Sequence, residues 1–212
     1  MDMFSLFDEE SETVRRVYFD LETQRRADDV GWDNKDLMFI SIAVCYFEPE
    51  NEYRIYGEGK LPISQLIEDL KERDEVIGYN VLNFDRDVLQ YYDKTELWEI
   101  NWVDMMVDIN RSLGRKLSIS LDNVAKATLD VGKTAKGIMA LEWWEKYVET
   151  KDYSWVQKII DYCVGDVDVT RNVHKYAMSH GEIYFMNRND KKTSAKVSFK
   201  VRHKDEDDEE DV

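Results

Sequence analysis

The chain has 212 residues, of which 43% are hydrophobic and 35% are charged, and its net charge is −16 at pH 7. These values are typical of one compact globular domain with or without tails. No apolar run approaches the length of a membrane span, and the acidic start lacks the features of an export signal, so we expect no membrane association and a cytoplasmic location. We also expect two buried free thiols, because Cys45 and Cys163 lie in apolar segments.

The predicted elements, taken in chain order, alternate between strands and helices and indicate a mixed α/β fold, with a central β-sheet flanked by helices. Strands are predicted where apolar, β-branched and aromatic residues cluster or alternate, at 14–21, 37–47, 51–56, 76–79, 100–103, 182–186 and 195–201. Helices are predicted where apolar positions recur at helical spacing, at 61–73, 84–92, 105–113, 120–128, 138–148 and 154–178. Gly181 follows the last helix, which is typical of a helix C-terminus.

The acidic charge is concentrated at the two ends of the chain. Residues 1–13 contain five acids, residues 205–212 contain seven, and neither range has a Lys or Arg, so residues 14–204 carry a net charge of −4. The acidic total therefore does not exclude a polyanionic substrate. The predicted organisation is an acidic flexible tail at 1–13, a folded domain at 14–187, a basic extension with a candidate edge strand at 188–204, and an acidic tail at 205–212.

The first candidate site lies at the end of the first strand, in Phe19-Asp20-Leu21-Glu22-Thr23. Residues two apart in a strand point to the same face, so we expect Asp20 and Glu22 to project together. An acid at the end of an apolar strand is costly without a partner, and neighbouring carboxylates are natural ligands of a hard cation. This motif alone leaves open the alternative of two solvated acids where the strand ends.

Two further acids lie at the start of one predicted helix and in the middle of another. Asp85 would occupy a first helical turn, where the helix dipole alone favours an acid. Asp166 lies four residues after Tyr162, so the two share one helix face. The adjacent Gly165 costs about 1 kcal/mol relative to alanine and suggests a site that needs close approach. The alternative for Asp166 is a surface acid in an acidic neighbourhood.

The order of these motifs resembles the DEDD family of 3′→5′ exonucleases, which have a ribonuclease H-like fold. The four acids of that family are matched in chain order by Asp20, Glu22, Asp85 and Asp166. The spacing of Tyr162 is similar to that of the DEDDy branch, whereas position 161 is Asp and not the His of the DEDDh branch. The resemblance covers residues 15–186, and it is closest to ribonuclease H-like exonuclease domains found alone or beside helicases in bacteria and archaea.

This resemblance implies phosphodiester hydrolysis assisted by two divalent ions, Mg²⁺ or Mn²⁺. It implies that Asp20 bridges both ions, that Glu22 and Asp166 complete the first site, and that Asp85 acts at the second through waters. It also implies that the Tyr162 hydroxyl orients the attacking water. Tyr162 is not expected to act as a general base, because an unperturbed tyrosine has a pKa of about 10.

Seven residues are candidates for substrate binding, each with an ordinary structural alternative. The resemblance implies that Leu21 and Thr23 contact the terminal nucleotide, and Asn80 is a candidate for a backbone contact. The other candidates are an aromatic residue in a polar loop for base stacking and three cations for phosphates, namely Trp32, Arg86, Lys133 and Lys136. A solvated surface charge is the alternative for each cation, and core packing is the expectation for Trp143 and Trp144.

We therefore expect a 3′→5′ exonuclease that acts on nucleic acid, with single-stranded DNA as its substrate. The sequence leaves RNA open, since that choice depends on contacts near the terminal 2′ position. A catalytically silent nucleic-acid-binding module is the alternative of another class, although such a module has no need for all five matched residues. A helicase or repair protein is a candidate partner, and the strand at 195–201 offers an edge for a homo-oligomer.

Overall fold

The computed structural model describes residues 13–93, 96–131 and 138–202. Its strands are β1 (Arg16–Thr23), β2 (Ile40–Glu48), β3 (Glu52–Gly57), β4 (Glu75–Gly78), β5 (Trp102–Asp104), β6 (Glu182–Met186) and β7 (Lys192–Lys196). Its α-helices are α1 (Ala27–Val30), α2 (Ile63–Lys71), α3 (Asp85–Leu89), α4 (Met105–Ser112), α5 (Leu121–Leu129), α6 (Ile138–Thr150) and α7 (Ser154–His180). Two 3₁₀ helices lie at Trp32–Met38 and Glu96–Glu99.

Five strands form one mixed sheet in the order β3-β2-β1-β4-β5, which places β1 at the centre. β1 is antiparallel to β2 and parallel to β4, and β4 is parallel to β5. The strands β6 and β7 form a separate antiparallel hairpin. The predicted α/β fold, with a central mixed sheet flanked by helices, is therefore confirmed.

The two faces of β1 serve different cores, because successive residues of a strand point to opposite sides. Val17, Phe19 and Leu21 are buried in a first core with side chains of α2 and α3. Tyr18 belongs to a second core on the other face, which contains side chains of α4 to α7 and of the β6–β7 hairpin. Asp20 continues the Tyr18 face toward the end of the strand, so the sheet directs this acid to the side that α7 covers.

The C-terminal strand predicted at 195–201 exists, but its predicted bounds are wrong. β7 ends at Lys196, and the apolar side chains after it pack against the second core, namely Val197, Phe199 and Val201. The backbone N–H of Arg202 then donates to a carbonyl of β5. The prediction failed because alternating apolar and polar residues indicate only that one face of a segment is buried. An irregular segment that packs over a core has the same pattern as a strand. This packing covers the apolar face of the segment 197–201, and the homo-oligomer stays a prediction.

Most of the remaining expectations about the core are met. Cys45 and Cys163 are buried free thiols, and Trp144 is buried while Trp143 packs against the second core. The second strand begins later than predicted, at Ile40, because a 3₁₀ helix precedes it. Within the described ranges, no helix has both the length and the apolar character needed to cross a bilayer. Most of the N-terminal tail, the whole acidic tail and the last two residues of the basic extension lie outside the described residues.

Candidate metal centre

Three acids meet where the end of β1 lies against the middle of α7. One carboxylate oxygen from each of Asp20, Glu22 and Asp166 lies within 4.8 Å of the others, and we call these residues the carboxylate cluster. Asp20 and Glu22 arrive together because they share one face of β1, and α7 packs across that face and supplies Asp166. Asp166 is buried, whereas Asp20 and Glu22 are half-buried. The cluster therefore lies at the boundary between the core and solvent.

A thiol holds the helix against the strand at this point. The Sγ of Cys163 donates to the backbone carbonyl of Asp20 at 3.4 Å, and it lies 3.5 Å from Oδ2 of the same residue. Burial, followed by the charges of Asp20 and Glu22, raises the pKa of the Cys163 thiol, which therefore stays protonated and remains a donor. The sequence identifies Cys163 only as a buried thiol. Its place three residues before Asp166, on the same helix face, is the signal for this positioning role.

Asp85 approaches the carboxylate cluster from the other side of β1, as the first residue of α3. Its side chain is buried, and the backbone N–H of Leu21 donates to its carboxylate. Burial and the charge of Asp20 raise the pKa of Asp85 well above its ordinary value. Asp85 is thus an electrostatic neighbour of Asp20 without being one of the three acids within 4.8 Å.

Tyr162 lies beside the cluster, on the same face of α7 as Asp166. Its hydroxyl hydrogen-bonds to the Asp166 carboxylate, and its ring meets that of Trp143 edge-on, with 6.3 Å between the ring centroids. Burial, followed by the charges of Asp166 and Glu22, raises the pKa of the Tyr162 phenol far above its ordinary value. The phenol is therefore neutral near pH 7, and it can donate a hydrogen bond but cannot remove a proton.

A buried carboxylate that no sequence motif marked, Asp104, holds the loop that leads to Asp85. It accepts hydrogen bonds from the backbone N–H groups of Asn80 and Leu82, both at 3.0 Å. It also accepts two from the first turn of α4, so one side chain caps a helix and fixes a loop. Burial raises the pKa of Asp104, while its four backbone donors act in the opposite direction. The available signal was an acid between a short strand and a helix, which is the pattern of an N-cap.

The predicted contacts near the terminal nucleotide lie next to the cluster but in different surroundings. Leu21 is buried in the first core, on the face of β1 opposite to Asp20. Thr23 is also buried, and its hydroxyl donates to the carbonyl of Arg25 at 3.0 Å. Asn80 has a left-handed backbone with φ of 66°, and its side-chain oxygen accepts from Asn83. Their roles in substrate binding stay predictions.

The other substrate candidates are more widely spread. Trp32 is 62% exposed on its 3₁₀ helix, so its indole is accessible for stacking. The guanidinium of Arg86 lies over the Trp98 ring, 5.4 Å from its centroid. Lys133 and Lys136 lie outside the described residues. The stacking and phosphate contacts assigned to these side chains therefore also stay predictions.

Gly165 leaves space next to Asp166. A Cβ atom added at this glycine would meet no atom within 4 Å, so no group of the described chain requires the glycine for packing. A glycine in mid-helix suggests that another group approaches the helix closely. No group of the described part of the protein makes such an approach at Gly165. The space next to Asp166 is therefore open among the described residues.

The donor atoms of the carboxylate cluster fit a hard divalent cation. All three ligand groups are carboxylates, which Mg²⁺ and Mn²⁺ prefer over nitrogen or sulfur, and their separation of 4.8 Å or less is one that a single ion can span. Like charges at this distance repel one another where burial reduces solvent screening, and a bound cation would offset that repulsion. The cluster is therefore a chemically consistent metal site.

Comparison with known proteins places the chain in a family. The family model described as RNase_H superfamily matches residues 17–178, and the chain belongs to this superfamily. No curated protein matches the chain. Among solved structures, a family B DNA polymerase from the hyperthermophilic archaeon Pyrobaculum calidifontis is similar, with a TM-score of 0.56 and 18% sequence identity. The match covers 78% of this chain and only 25% of the polymerase chain. The expected ribonuclease H-like nuclease fold is thus confirmed, and the DEDDy subtype stays a prediction.

Proposed function

We propose that the chain is a metal-dependent 3′→5′ exonuclease that releases nucleotides from single-stranded DNA. The observation that carries this proposal is that the three acids of the carboxylate cluster lie together, with Asp85 and Tyr162 beside them. A structural role alone does not explain four acids gathered from three elements, because they repel one another. Membership in the RNase_H superfamily supports nuclease chemistry at this place.

In this proposal the four acids hold two Mg²⁺ or Mn²⁺ ions. When bound, such ions polarise the scissile phosphate and favour ionisation of the attacking water. Asp20 is suited to serve both ions, because it belongs to the cluster and is also the electrostatic neighbour of Asp85. Glu22 and Asp166 complete one set of ligands, and Asp85 supplies the other.

Tyr162 positions the attacking water in this proposal. Its phenol is neutral and lies at hydrogen-bond distance from Asp166, so it can hold a water beside that carboxylate without taking its proton. Cys163 and Asp104 act through other residues, because the first fixes α7 against β1 and the second fixes the loop that leads to Asp85. All three keep the acids and the water in place while the phosphodiester bond is broken.

Two further observations bear on the substrate and on the direction of cleavage. The similar solved structure is a DNA polymerase, which favours DNA, although a likeness at 18% identity shows the fold alone. The DEDDy-like spacing of Tyr162 and Asp166 favours removal from the 3′ end. We further propose a cytoplasmic enzyme that works beside a helicase or repair protein, since such a partner would supply single strands.

The test is cleavage of 5′-labelled single-stranded DNA and RNA in Mg²⁺, Mn²⁺ or EDTA. Asp85→Asn removes one acid from the site. Asp87→Asn is the matched control, because Asp87 lies two residues along α3 and pairs with Lys35 outside the site. We expect a ladder that shortens from the 3′ end, a loss of about 1000-fold in kcat/KM for Asp85→Asn, and less than about twofold change for Asp87→Asn.

Each outcome bears on a different part of the proposal. The polymer that is degraded faster identifies the substrate. Internal cuts or shortening from the 5′ end would refute the polarity and leave the metal centre standing. Activity that persists in EDTA, or in Asp85→Asn, would refute the metal centre. Binding without cleavage in every metal would favour a silent nucleic-acid-binding module.

A further inference from the structure

A basic groove lies on the α4–α5 side of the domain. Its larger part, about 790 Å³, lies between the loop 115–119 and the turn that joins β6 to β7. Its smaller part, about 370 Å³, lies between the end of α4 and the segment 196–200. The two parts flank the turn at Leu113 and Gly114, and we refer to them together as the basic groove.

The charge of the basic groove is opposite to that of the whole chain. Its lining contains six cations: Arg111, Arg115, Lys116, Arg188, Lys196 and Lys200. The acid in the lining is Asp108, which Arg202 neutralises in a buried ion pair. In a chain with a net charge of −16, six cations on one surface produce a local potential that attracts a polyanion.

Two arginines of the larger part are available to a ligand. Arg115 belongs to one wall and Arg188 to the other, and both are exposed. Within the ranges that the structure describes, neither guanidinium forms an ion pair with an acid. A guanidinium has five N–H donors in a planar fork, which suits the oxygens of a phosphate.

The backbone that carries these arginines is held in place by asparagines. Asn187 accepts hydrogen bonds from two backbone N–H groups that follow Arg188, at 2.9 and 3.2 Å. Asn110 accepts from the backbone N–H groups of Arg115 at 3.3 Å and Leu117 at 3.0 Å. Both walls are therefore ordered without a ligand, which lowers the entropy lost when a ligand binds.

One tyrosine connects the basic groove to the carboxylate cluster. β1 and β4 are parallel, with Tyr18 opposite Ile77, so an extension of this register brings Asp20 and Tyr79 to the same level and face, one strand apart. The Tyr79 hydroxyl donates to the carbonyl of Ile119 at 2.6 Å, and Ile119 lines the larger part of the groove. The larger part of the groove thus begins one tyrosine side chain away from the end of β4, which pairs with β1.

We propose that the basic groove binds the phosphate backbone of a single-stranded nucleic acid whose 3′ end lies at the carboxylate cluster. The position of that end rests on the proposed function, whereas the polyanion itself is inferred from the charge of the groove. Arginine and lysine contacts to phosphates carry no base information, so the groove adds affinity for long strands without adding sequence preference.

The test is the binding of wild type and variants to a labelled oligothymidylate of about 16 nucleotides, measured by fluorescence anisotropy in EDTA. Arg115→Gln with Arg188→Gln removes two charges from the groove. Arg15→Gln with Lys175→Gln is the control, because it also removes two surface charges, from cations that pair with Asp74 and Glu48 and do not line the groove. We expect the groove variant to bind about tenfold more weakly at 200 mM salt and to lose about 1.4 from the slope of log K against log salt, which is about 0.7 per phosphate contact. The control should bind like wild type.

Cleavage of a dinucleotide separates the groove from the metal centre. The groove variant should cleave a dinucleotide like wild type and a long strand with a raised KM, because a dinucleotide is too short to reach both parts. Wild-type binding by the groove variant would overturn the groove proposal and leave the nuclease standing. Groove-dependent binding by a protein that cleaves neither substrate would overturn the nuclease and leave the groove standing. A wild type that binds no oligonucleotide would overturn the groove proposal, and tighter binding of a duplex would overturn the single-strand part.

Discussion

The acid Asp108 and the carboxylate cluster lie in different electrostatic surroundings. Asp108 is 3% exposed, both of its oxygens accept from the guanidinium of Arg202, and the backbone N–H of Lys200 donates a further hydrogen bond. In the carboxylate cluster, three acids instead lie within 4.8 Å of one another. The charge of Asp108 is balanced by Arg202, whereas the three acids of the cluster repel one another, and a bound cation would offset that repulsion. The immediate neighbours of an acid therefore distinguish a structural acid from a functional one better than its burial does.

The largest loss of stability is expected when the buried ion pair between Arg202 and Asp108 is broken. Removing one partner of a buried ion pair leaves an uncompensated charge and costs about 3–5 kcal/mol. We expect Arg202→Ala to lower the free energy of unfolding in urea by that amount, because the Asp108 carboxylate would lose the partner of both its oxygens. Cleavage of a dinucleotide by the folded fraction should change little, since neither residue belongs to the carboxylate cluster.

The control for this prediction is an exposed pair with the same chemistry. Arg15 pairs with Asp74 at 3.0 Å, and both side chains are about half exposed. Arg15→Ala should therefore cost less than about 1 kcal/mol. Equal losses in Arg202→Ala and Arg15→Ala would show that the buried pair contributes no more than a surface pair, and the contrast drawn above would fail.

His174 extends the comparison to a buried group that stays neutral. Its Nδ1 lies 3.1 Å from the Tyr18 hydroxyl. Burial, followed by the charges of Arg16 and Lys175, lowers the pKa of His174 from 6.5 to about 4. The stability that depends on the neutral ring is fully present above pH 6.5, and it is lost as the pH falls from 6.5 to 4, because the unfolded state then binds the proton more readily. We expect a loss of about 3 kcal/mol over this window.

Urea unfolding at pH 7 and pH 4 measures this loss. His174→Gln should remove about 3 kcal/mol of the pH dependence, even if it lowers stability at both pH values. His180→Gln is the matched control, because His180 is exposed at the end of the same helix, and this variant should keep the wild-type pH dependence. A pH dependence unchanged in His174→Gln would show that the ring does not resist protonation in the folded state.

The metal tests the other side of the comparison, the carboxylate cluster, in which three like charges lie close together. A cation that binds only the folded state adds about 2.7 kcal/mol at one hundred times its dissociation constant. We expect Mg²⁺ or Mn²⁺ to raise the free energy of unfolding of wild type and not of Asp20→Asn. In EDTA, Asp20→Asn should be at least as stable as wild type, because it removes one of three like charges.

Asp108→Asn provides the contrast for the metal prediction. This variant should lose stability in EDTA and still gain from the metal, since its carboxylate lies outside the cluster. Thermal unfolding of the three proteins with metal and with EDTA gives the comparison in one experiment. If neither metal stabilised the wild type, the interpretation of the cluster as a metal site would be wrong.

The parts of the site that depend on local spacing could be predicted from the sequence. Asp20 and Glu22 share a face because strands repeat every two residues, and Tyr162 and Asp166 share one because helices repeat every 3.6. That these two faces meet was implied only by the family resemblance, since no spacing within either segment reports how β1 and α7 pack. The fold class followed in the same way from the order of the elements.

Contacts between distant residues could not be predicted in this way. The thiol of Cys163 meets Asp20 across 143 positions, and Asp104 meets Asn80 across 24. Arg115 and Arg188 likewise come to one groove only through tertiary packing. Each of these residues has an ordinary local explanation, as a core thiol, a helix cap or a surface charge. Only the neighbours contributed by other elements reveal a further role.

The smallest expected effect concerns Gly165, where stability and function are expected to oppose each other. Glycine in a helix interior costs about 1 kcal/mol relative to alanine, and a Cβ here would meet no atom within 4 Å. Gly165→Ala should therefore raise the free energy of unfolding by about that amount. It should also lower kcat/KM on single-stranded DNA, because the added methyl group would occupy space next to Asp166 that the described chain leaves open. Urea unfolding and the cleavage assay measure the two effects on one preparation. A gain in stability with unchanged activity would mean that the glycine is merely tolerated. A gain in stability with lost activity would mean that glycine lowers the stability of the helix but allows a substrate to approach. The carboxylate cluster would likewise lower stability, through repulsion between like charges, while serving function.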